Sequence, residues 1–322
     1  MTSLAGSGAQ VTGVNAVTGS GENVQIRAAR EVILSAAVIG TPKLLELSGI
    51  GDSDVLDNAG IRTRVSLPGV GANLQDHYVV RLGFRVRGAQ TANERSHGLA
   101  LAREMMRYVV SGSGVLTYSA AIVGGFGQTP LAKRPDVQYV MAPGSFAAGR
   151  IGVLESEPGV SCGVWQMRPE SRGHVHIRSS DASVAPVIAP EYLSHQLDRA
   201  TVVEGLKFGR KIFAQPEIAR YIVDETVPGR AAATDEQLLQ YARDNGSTVY
   251  HAVGTCRMGD DAMNVVDANL HVRGMTGLRI VDASVMPSIT STNTNATVLM
   301  LAERAAEIIL RGVKQAQAAV EK

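Results

Sequence analysis

Glu31-Val-Ile-Leu-Ser-Ala-Ala-Val-Ile-Gly-Thr-Pro-Lys-Leu-Leu-Glu-Leu-Ser-Gly-Ile-Gly51 divides into two halves with different periods. Its first half, Glu31 to Ala37, is short and almost continuously apolar, as strands buried on both faces of a parallel sheet are. The second half reads as a helix. Pro42 sits just inside its start, where a missing N–H costs nothing, and Thr41 is in position to cap it. The helix stops at Ser48-Gly49-Ile50-Gly51. A buried strand feeding a helix is the unit of an α/β fold.

Upstream, Val11-Thr-Gly-Val-Asn-Ala-Val and Val24-Gln-Ile-Arg-Ala alternate apolar and polar residues on either side of Thr18-Gly-Ser-Gly-Glu. That pattern predicts a β-hairpin. Downstream, Gly69-Val-Gly-Ala-Asn-Leu-Gln-Asp-His77 is a glycine-rich loop. From about residue 77 to 250 the chain changes character. His174-Val-His-Ile-Arg alternates like a half-buried strand after the turn at Ser171-Arg-Gly173, and Pro186 to Pro190 is extended. Leu197 to Phe213 has Val202, Leu206, Gly209 and Phe213 on one helical stripe. This stretch reads as a mixed sheet-plus-helix domain. Toward the end, Leu278-Arg-Ile-Val-Asp-Ala is a short strand ending in Asp282. Thr294 to Leu310 is a helix with Val298, Leu301, Ala305 and Ile308 at helical spacing, and Gly312 is its expected stop. Residues 313–322 read as a frayed tail.

Composition narrows the class. At 322 residues the chain is long enough for about two domains. A net charge of +1 and 4% aromatic residues argue against a nucleic-acid surface or a polybasic membrane patch. Two cysteines, Cys162 and Cys256, make no disulfide framework and point to a reducing compartment. No apolar stretch is long enough to span a bilayer, and no basic flank precedes an apolar run at the start, so the expected location is the cytoplasm.

Motifs give the first chemical direction, and the first of them is missing. A strand, Gly-x-Gly-x-x-Gly and a helix would mark a dinucleotide phosphate site. Gly6-Ser-Gly-Ala-Gln-Val has two of the three glycines and no strand evident before it. Gly69-Val-Gly-Ala-Asn-Leu also ends wrongly, with Pro68 where a strand should finish. Both read as ordinary loops.

Four segments form a set. Ala37 to Gly51 resembles the second signature of the glucose-methanol-choline (GMC) oxidoreductase family. Pro68-Gly-Val-Gly-Ala-Asn-Leu-Gln-Asp-His77 resembles the loop that follows it there. His251-Ala-Val-Gly-Thr-Cys-Arg-Met-Gly259 resembles the segment with the family's active-site histidine. Val281-Asp-Ala-Ser-Val-Met-Pro287, with Ser291-Thr-Asn-Thr-Asn-Ala296 and the helix after it, resembles the flavin-contacting end. They occur in the family's order, and the chain is most similar to the bacterial choline-dehydrogenase-like branch. Two residues depart from the pattern: Ala37 and Val38 stand where the signature usually has glycine and a small residue. Glycine there permits close approach of backbone to a cofactor.

The resemblance implies an α/β fold in which an incomplete, Rossmann-like FAD-binding domain (1–76 and 251–322) is interrupted by an α+β substrate-binding domain (77–250) with a mixed or antiparallel sheet. It implies FAD as cofactor and an alcohol as substrate. It also implies that a glycine-rich segment outside these residues holds most of the FAD, on a separate chain if the oxidoreductase is split. His251 is then the base that takes the hydroxyl proton; its ordinary pKa suits that work near neutrality. Asn293 matches the second active-site position, where an amide orients the substrate oxygen; capping of the helix is the alternative. Asn295, at the positive end of that helix, would approach the flavin pyrimidine. Asp282 and Ala283 would lie near the ribityl-phosphate part, although a strand-end turn explains Asp282 equally well. Cys256 reads as a packed small side chain. His174 and His176 share a strand face but lack further ligands at suitable spacing, so no metal site is expected. Arg172 serves either a tight turn or substrate orientation. The rivals that stay open are a partner-dependent substrate-binding subunit, a truncated non-catalytic product, and lyase chemistry in the same pocket.

Overall fold

The computed structural model describes residues 2–119, 121–146 and 153–320. They form two compact units, one made of Met1–Asp76, Ser171–Ser194 and Tyr250–Lys322, the other of His77–Glu170 and His195–Val249.

In the first unit, Val32–Leu34 and Leu278–Ile280 pair in parallel, Val32 opposite Leu278 and Leu34 opposite Ile280. This is the arrangement that the apolar run at 31–37 implies. Leu34, Leu45, Ile50, Val70, Val266, Ile280 and Val285 build the core beneath it. The hairpin of Gln10–Val17 and Asn23–Arg27 is present, and Ser3–Ser7 adds a third antiparallel strand. A strand therefore does precede Gly8, contrary to the sequence reading. It leads through a tight turn into another antiparallel strand and not into a helix, so the phosphate-loop geometry is absent at this turn.

The helix after Val32–Leu34 begins at Ala37, five residues before the expected first helical residue Pro42, and runs to Leu47. Thr41 does not cap it. Pro42 lies within the helix and has no N–H to give the carbonyl of Val38, four residues back. The buried hydroxyl of Thr255 donates to that carbonyl at 2.8 Å instead. Tertiary contact thus satisfies what proline leaves open, and the helix continues through it.

At the other end the helix Asn295–Val320 passes through Gly312 without stopping. Gly312 does not take the left-handed conformation that ends helices. Leu301 and Ala305 are buried as the periodicity requires, and Val298 packs on Val253, Met286 and Ile289.

Ser171–Ser194 belongs to the first unit, whereas the sequence reading ran the second domain unbroken over 77–250. Leu74 and Gly173 exchange both backbone hydrogen bonds at 2.9 and 2.8 Å, and the Val175 N–H donates to the Gly71 carbonyl at 2.7 Å. Alternation identifies His174–His176 as a strand but does not say which part of the chain it joins. It pairs antiparallel with Val187–Ala189.

The second unit holds a six-stranded antiparallel sheet in the order Ile222–Val227, Tyr78–Val86, Gly159–Gln166, Val137–Ala142, Val123–Gly127, with Ser247–Thr248 also on Tyr78–Val86. The helix Gln196–Phe213 packs on it through Val202, Leu206 and Phe213. Close packing demands glycine at 209, where a Cβ would come within 2.5 Å of Leu82. Phe213 stacks on Phe84 with ring centroids 4.1 Å apart. Among the described residues no helix is long and apolar enough to cross a membrane.

Candidate active site

The site lies within the first unit, where three loops are stitched together by buried polar side chains. The Asn73 amide nitrogen donates to the carbonyls of Gly254 and Pro287, both at 3.3 Å, and its oxygen accepts from Arg172 Nε at 3.1 Å. Gln75 and Val253 exchange backbone bonds at 3.0 and 2.8 Å, and Gln75 Oε1 accepts the Ile289 N–H at 2.9 Å. Asp76 Oδ1 accepts the His251 N–H at 3.0 Å. The glycine-rich loop is therefore a clamp on the histidine segment. Gly254 has φ +95, and a Cβ there would meet the Asn73 carbonyl oxygen at 2.5 Å, so glycine at this position lets the clamp close.

This scaffold brings His251 and Asn293 together. Asn293 Nδ2 lies 3.1 Å from His251 Nε2. An amide NH2 only donates, so Nε2 is the acceptor and the neutral ring carries its proton on Nδ1. Burial pushes the His251 pKa below its ordinary value, and the negative charge of Asp76 opposes part of that shift. The result is a half-buried imidazole that stays neutral near pH 7, with its lone pair turned to an exposed amide.

Asn293 does not cap the helix. The Thr294 carbonyl accepts the first helical bond, from Val298 N–H at 3.0 Å, so the cap position is Thr294. Asn295 is the exposed first residue of this helix.

Asp282 is 7% exposed and its carboxylate is largely occupied. Oδ1 accepts the Ser284 N–H at 2.8 Å, and Oδ2 accepts the Ala37 N–H at 3.0 Å and the Thr41 hydroxyl at 2.6 Å. It is both the strand-end turn residue of the bland reading and the anchor of the Ala37 corner. Ala37 has φ +60, the left-handed region, which explains physically why glycine suits this place. The Ala283 carbonyl accepts the Gly254 N–H at 3.2 Å, tying the strand end to the histidine segment.

Cys256 is fully buried and burial pushes its thiol well up, which suits a packed side chain and not a nucleophile. His176 Nδ1–H donates to the buried carboxylate of Glu46 at 2.7 Å, and the His174 ring stacks on that of His176. Arg172 serves the clamp through Asn73. Sequence reading missed Asn73, Gln75 and Asp76 as parts of the site. The available signal is three polar residues, Asn73, Gln75 and Asp76, set among the buried Val70 and Leu74 in one loop, where buried polar groups must be satisfied by hydrogen bonds.

Residues 3–79 match the N-terminal and residues 169–302 the C-terminal model of GMC oxidoreductases. The chain belongs to the GMC oxidoreductase family. It is 38% identical over 294 residues to an alcohol dehydrogenase [acceptor] of Pseudomonas putida, covering 89% of this chain and 52% of that one. It is 35% identical over 281 residues to an oxygen-dependent choline dehydrogenase of Escherichia coli, covering 87% and 50%. Among solved structures it is similar to formate oxidase of Aspergillus oryzae RIB40, studied for FAD modification, with a TM-score of 0.91 and 26% identity over 98% of this chain and 60% of that one. It is also similar to pyridoxine 4-oxidase from Mesorbium loti, with a TM-score of 0.81 and 27% identity over 95% and 56%. The chain spans about half the length of the curated relatives it matches.

Proposed function

We propose that this chain carries the proton-transfer half of a flavin-dependent alcohol oxidation. The observation that carries the reading is the His251–Asn293 pair at 3.1 Å, with a neutral ring whose unprotonated nitrogen faces an amide. An alcohol hydroxyl that displaces the amide from Nε2 donates its proton there, and the Asn293 amide is then free to hydrogen-bond the substrate oxygen as negative charge builds on it. The clamp of Asn73, Gln75 and Asp76 keeps the ring in place during the transfer.

The residues present fit part of an FAD. Ser35, Ala36 and Ala37 are small and exposed at the carboxyl end of Val32–Leu34, where open α/β sheets take their ligands. Asp282 and Ala283 follow the parallel partner strand. Asn295 and Ala296 are exposed at the positive end of a 26-residue helix, which favours negative charge on a group set against it. Bound there, the flavin would supply the hydride acceptor. No stretch of residues 1–322 supplies the three-glycine phosphate loop. We assign the second unit to recognition of the rest of the substrate, in line with the family resemblance.

A second reading is favoured by the exposure of Ile33, Ile39, Leu299 and Met300 in the unit that holds the site. On it, the residues act only with a further polypeptide segment that covers these apolar side chains and brings the phosphate loop.

The test is an absorbance spectrum of the purified chain after mixing with FAD and gel filtration. Flavin bands that co-elute and bleach when an alcohol is added support the first reading. A colourless protein supports the second and directs attention to a co-purifying chain.

A further inference from the structure

We propose that Asp76, braced by Tyr192, is a positioning residue for His251, with one carboxylate oxygen fixing the histidine backbone and the other held so that the negative charge stays beside it. The carboxylate is 7% exposed. Oδ1 accepts the His251 N–H at 3.0 Å, and Oδ2 accepts the Tyr192 hydroxyl at 2.5 Å. The backbone just before needs such a hold. Tyr250 has φ +62, a left-handed conformation that an aromatic residue adopts only where its surroundings impose it. The imposed turn lies between the Asp76 bond to His251 and the backbone of 249, and the Gln75–Val253 pair fixes the other side.

The same carboxylate does electrostatic work. Burial disfavours the protonated ring, and Asp76 favours it. Asn293 is uncharged, Tyr192 is the brace, Tyr250 is 80% exposed, Arg172 is engaged by Asn73, and Arg257 pairs with Asp261 at 3.0 Å. Asp76 is thus placed to tune the basicity of the ring as well as its position. This inference rests on the reading of His251 as the base, but its test uses neither flavin nor alcohol.

The experiment is an NMR titration of the His251 ring in the purified chain, with hydrogen exchange of its backbone amide. Asp76→Asn keeps an oxygen for the His251 N–H but removes the charge, so the ring midpoint should fall by about half a unit or more. Tyr192→Phe keeps the charge but releases Oδ2, so the His251 amide should exchange about tenfold faster. A folded Asp76→Asn chain that titrates at the wild-type midpoint overturns the proposal, because a merely structural carboxylate would change stability and leave the midpoint alone. If Asp76→Asn does not fold, unchanged amide exchange in Tyr192→Phe overturns it. A midpoint that moves in a chain inactive toward alcohols upholds the role of Asp76 and removes only the functional reading.

Discussion

Two corners of the first unit are each organised by a buried aspartate, and they put it to different uses. At Asp282 three donors converge, from Ala37, Thr41 and Ser284, and all belong to the fold's own framework. At Asp76 the donors include the His251 backbone N–H and the Tyr192 hydroxyl, and the histidine ring beyond them remains half-exposed with its Nε2 on an exposed amide. One carboxylate closes a corner and the other holds a half-exposed histidine. Burial of a charge therefore marks the site only when its donors lead on to a side chain that solvent or substrate can reach.

The sharpest way to break this contrast is to remove the closing carboxylate. Asp282→Ala leaves the Ala37 N–H, the Thr41 hydroxyl and the Ser284 N–H without their acceptor, and should cost about 3 kcal/mol of stability in urea denaturation. A loss no larger than that of an exposed substitution would mean the corner is held by apolar packing alone.

Asn293→Ala should do the opposite. Its side chain is exposed, so stability should hold while kcat/KM for the alcohol falls about tenfold, the worth of one hydrogen bond to the substrate oxygen. Loss of the amide donor also removes a bond that favours the neutral ring, so the His251 midpoint should rise.

The pH profile sharpens the comparison further. An ordinary imidazole base would be half lost at pH 6.5, but burial lowers the His251 value below that. Protonation, which removes the base, then sets in only at more acidic pH. Activity limited by this group should retain more than half its plateau at pH 6.5. A half-point at or above 6.5 would mean that another group governs the acid limb.

The smallest effect is expected at Ala37. With φ +60, it is a residue for which glycine costs less, and Ala37→Gly should stabilise the chain by about 0.5–1 kcal/mol, visible as a higher melting temperature. No change or a loss would show that the alanine methyl makes up the strain through its contacts.

These corners also show which parts of the structure can be read from sequence. The parallel pairing of Val32–Leu34, the hairpin and the stripe on Gln196–Phe213 follow from period and apolarity, which are local properties. His251 and Asn293 stand out by motif, and the structure brings their side chains together. The start of the first helix is not legible in the sequence, because its N-terminus is set by Asp282, 245 residues away, and its proline is accommodated by Thr255, 217 residues from the carbonyl it serves. The unit that Ser171–Ser194 joins is illegible for the same reason: its partners, Gly71 and Leu74, are remote in sequence. The clamp of Asn73, Gln75 and Asp76 is not legible in the glycine-rich loop, whose motif gives a departure from a phosphate loop and a family resemblance but no role for its polar side chains. Its polar residues carry no periodic signal, and their role emerges only with the partners they bond.

The central claim is that His251 takes the alcohol proton. It is tested most directly by mixing the FAD-loaded protein anaerobically with an alcohol and following the flavin absorbance, for wild type and His251→Ala. Bleaching that slows by about 10²–10⁴-fold in the variant, with flavin still bound, is the predicted result. A variant that bleaches as fast as wild type would contradict it.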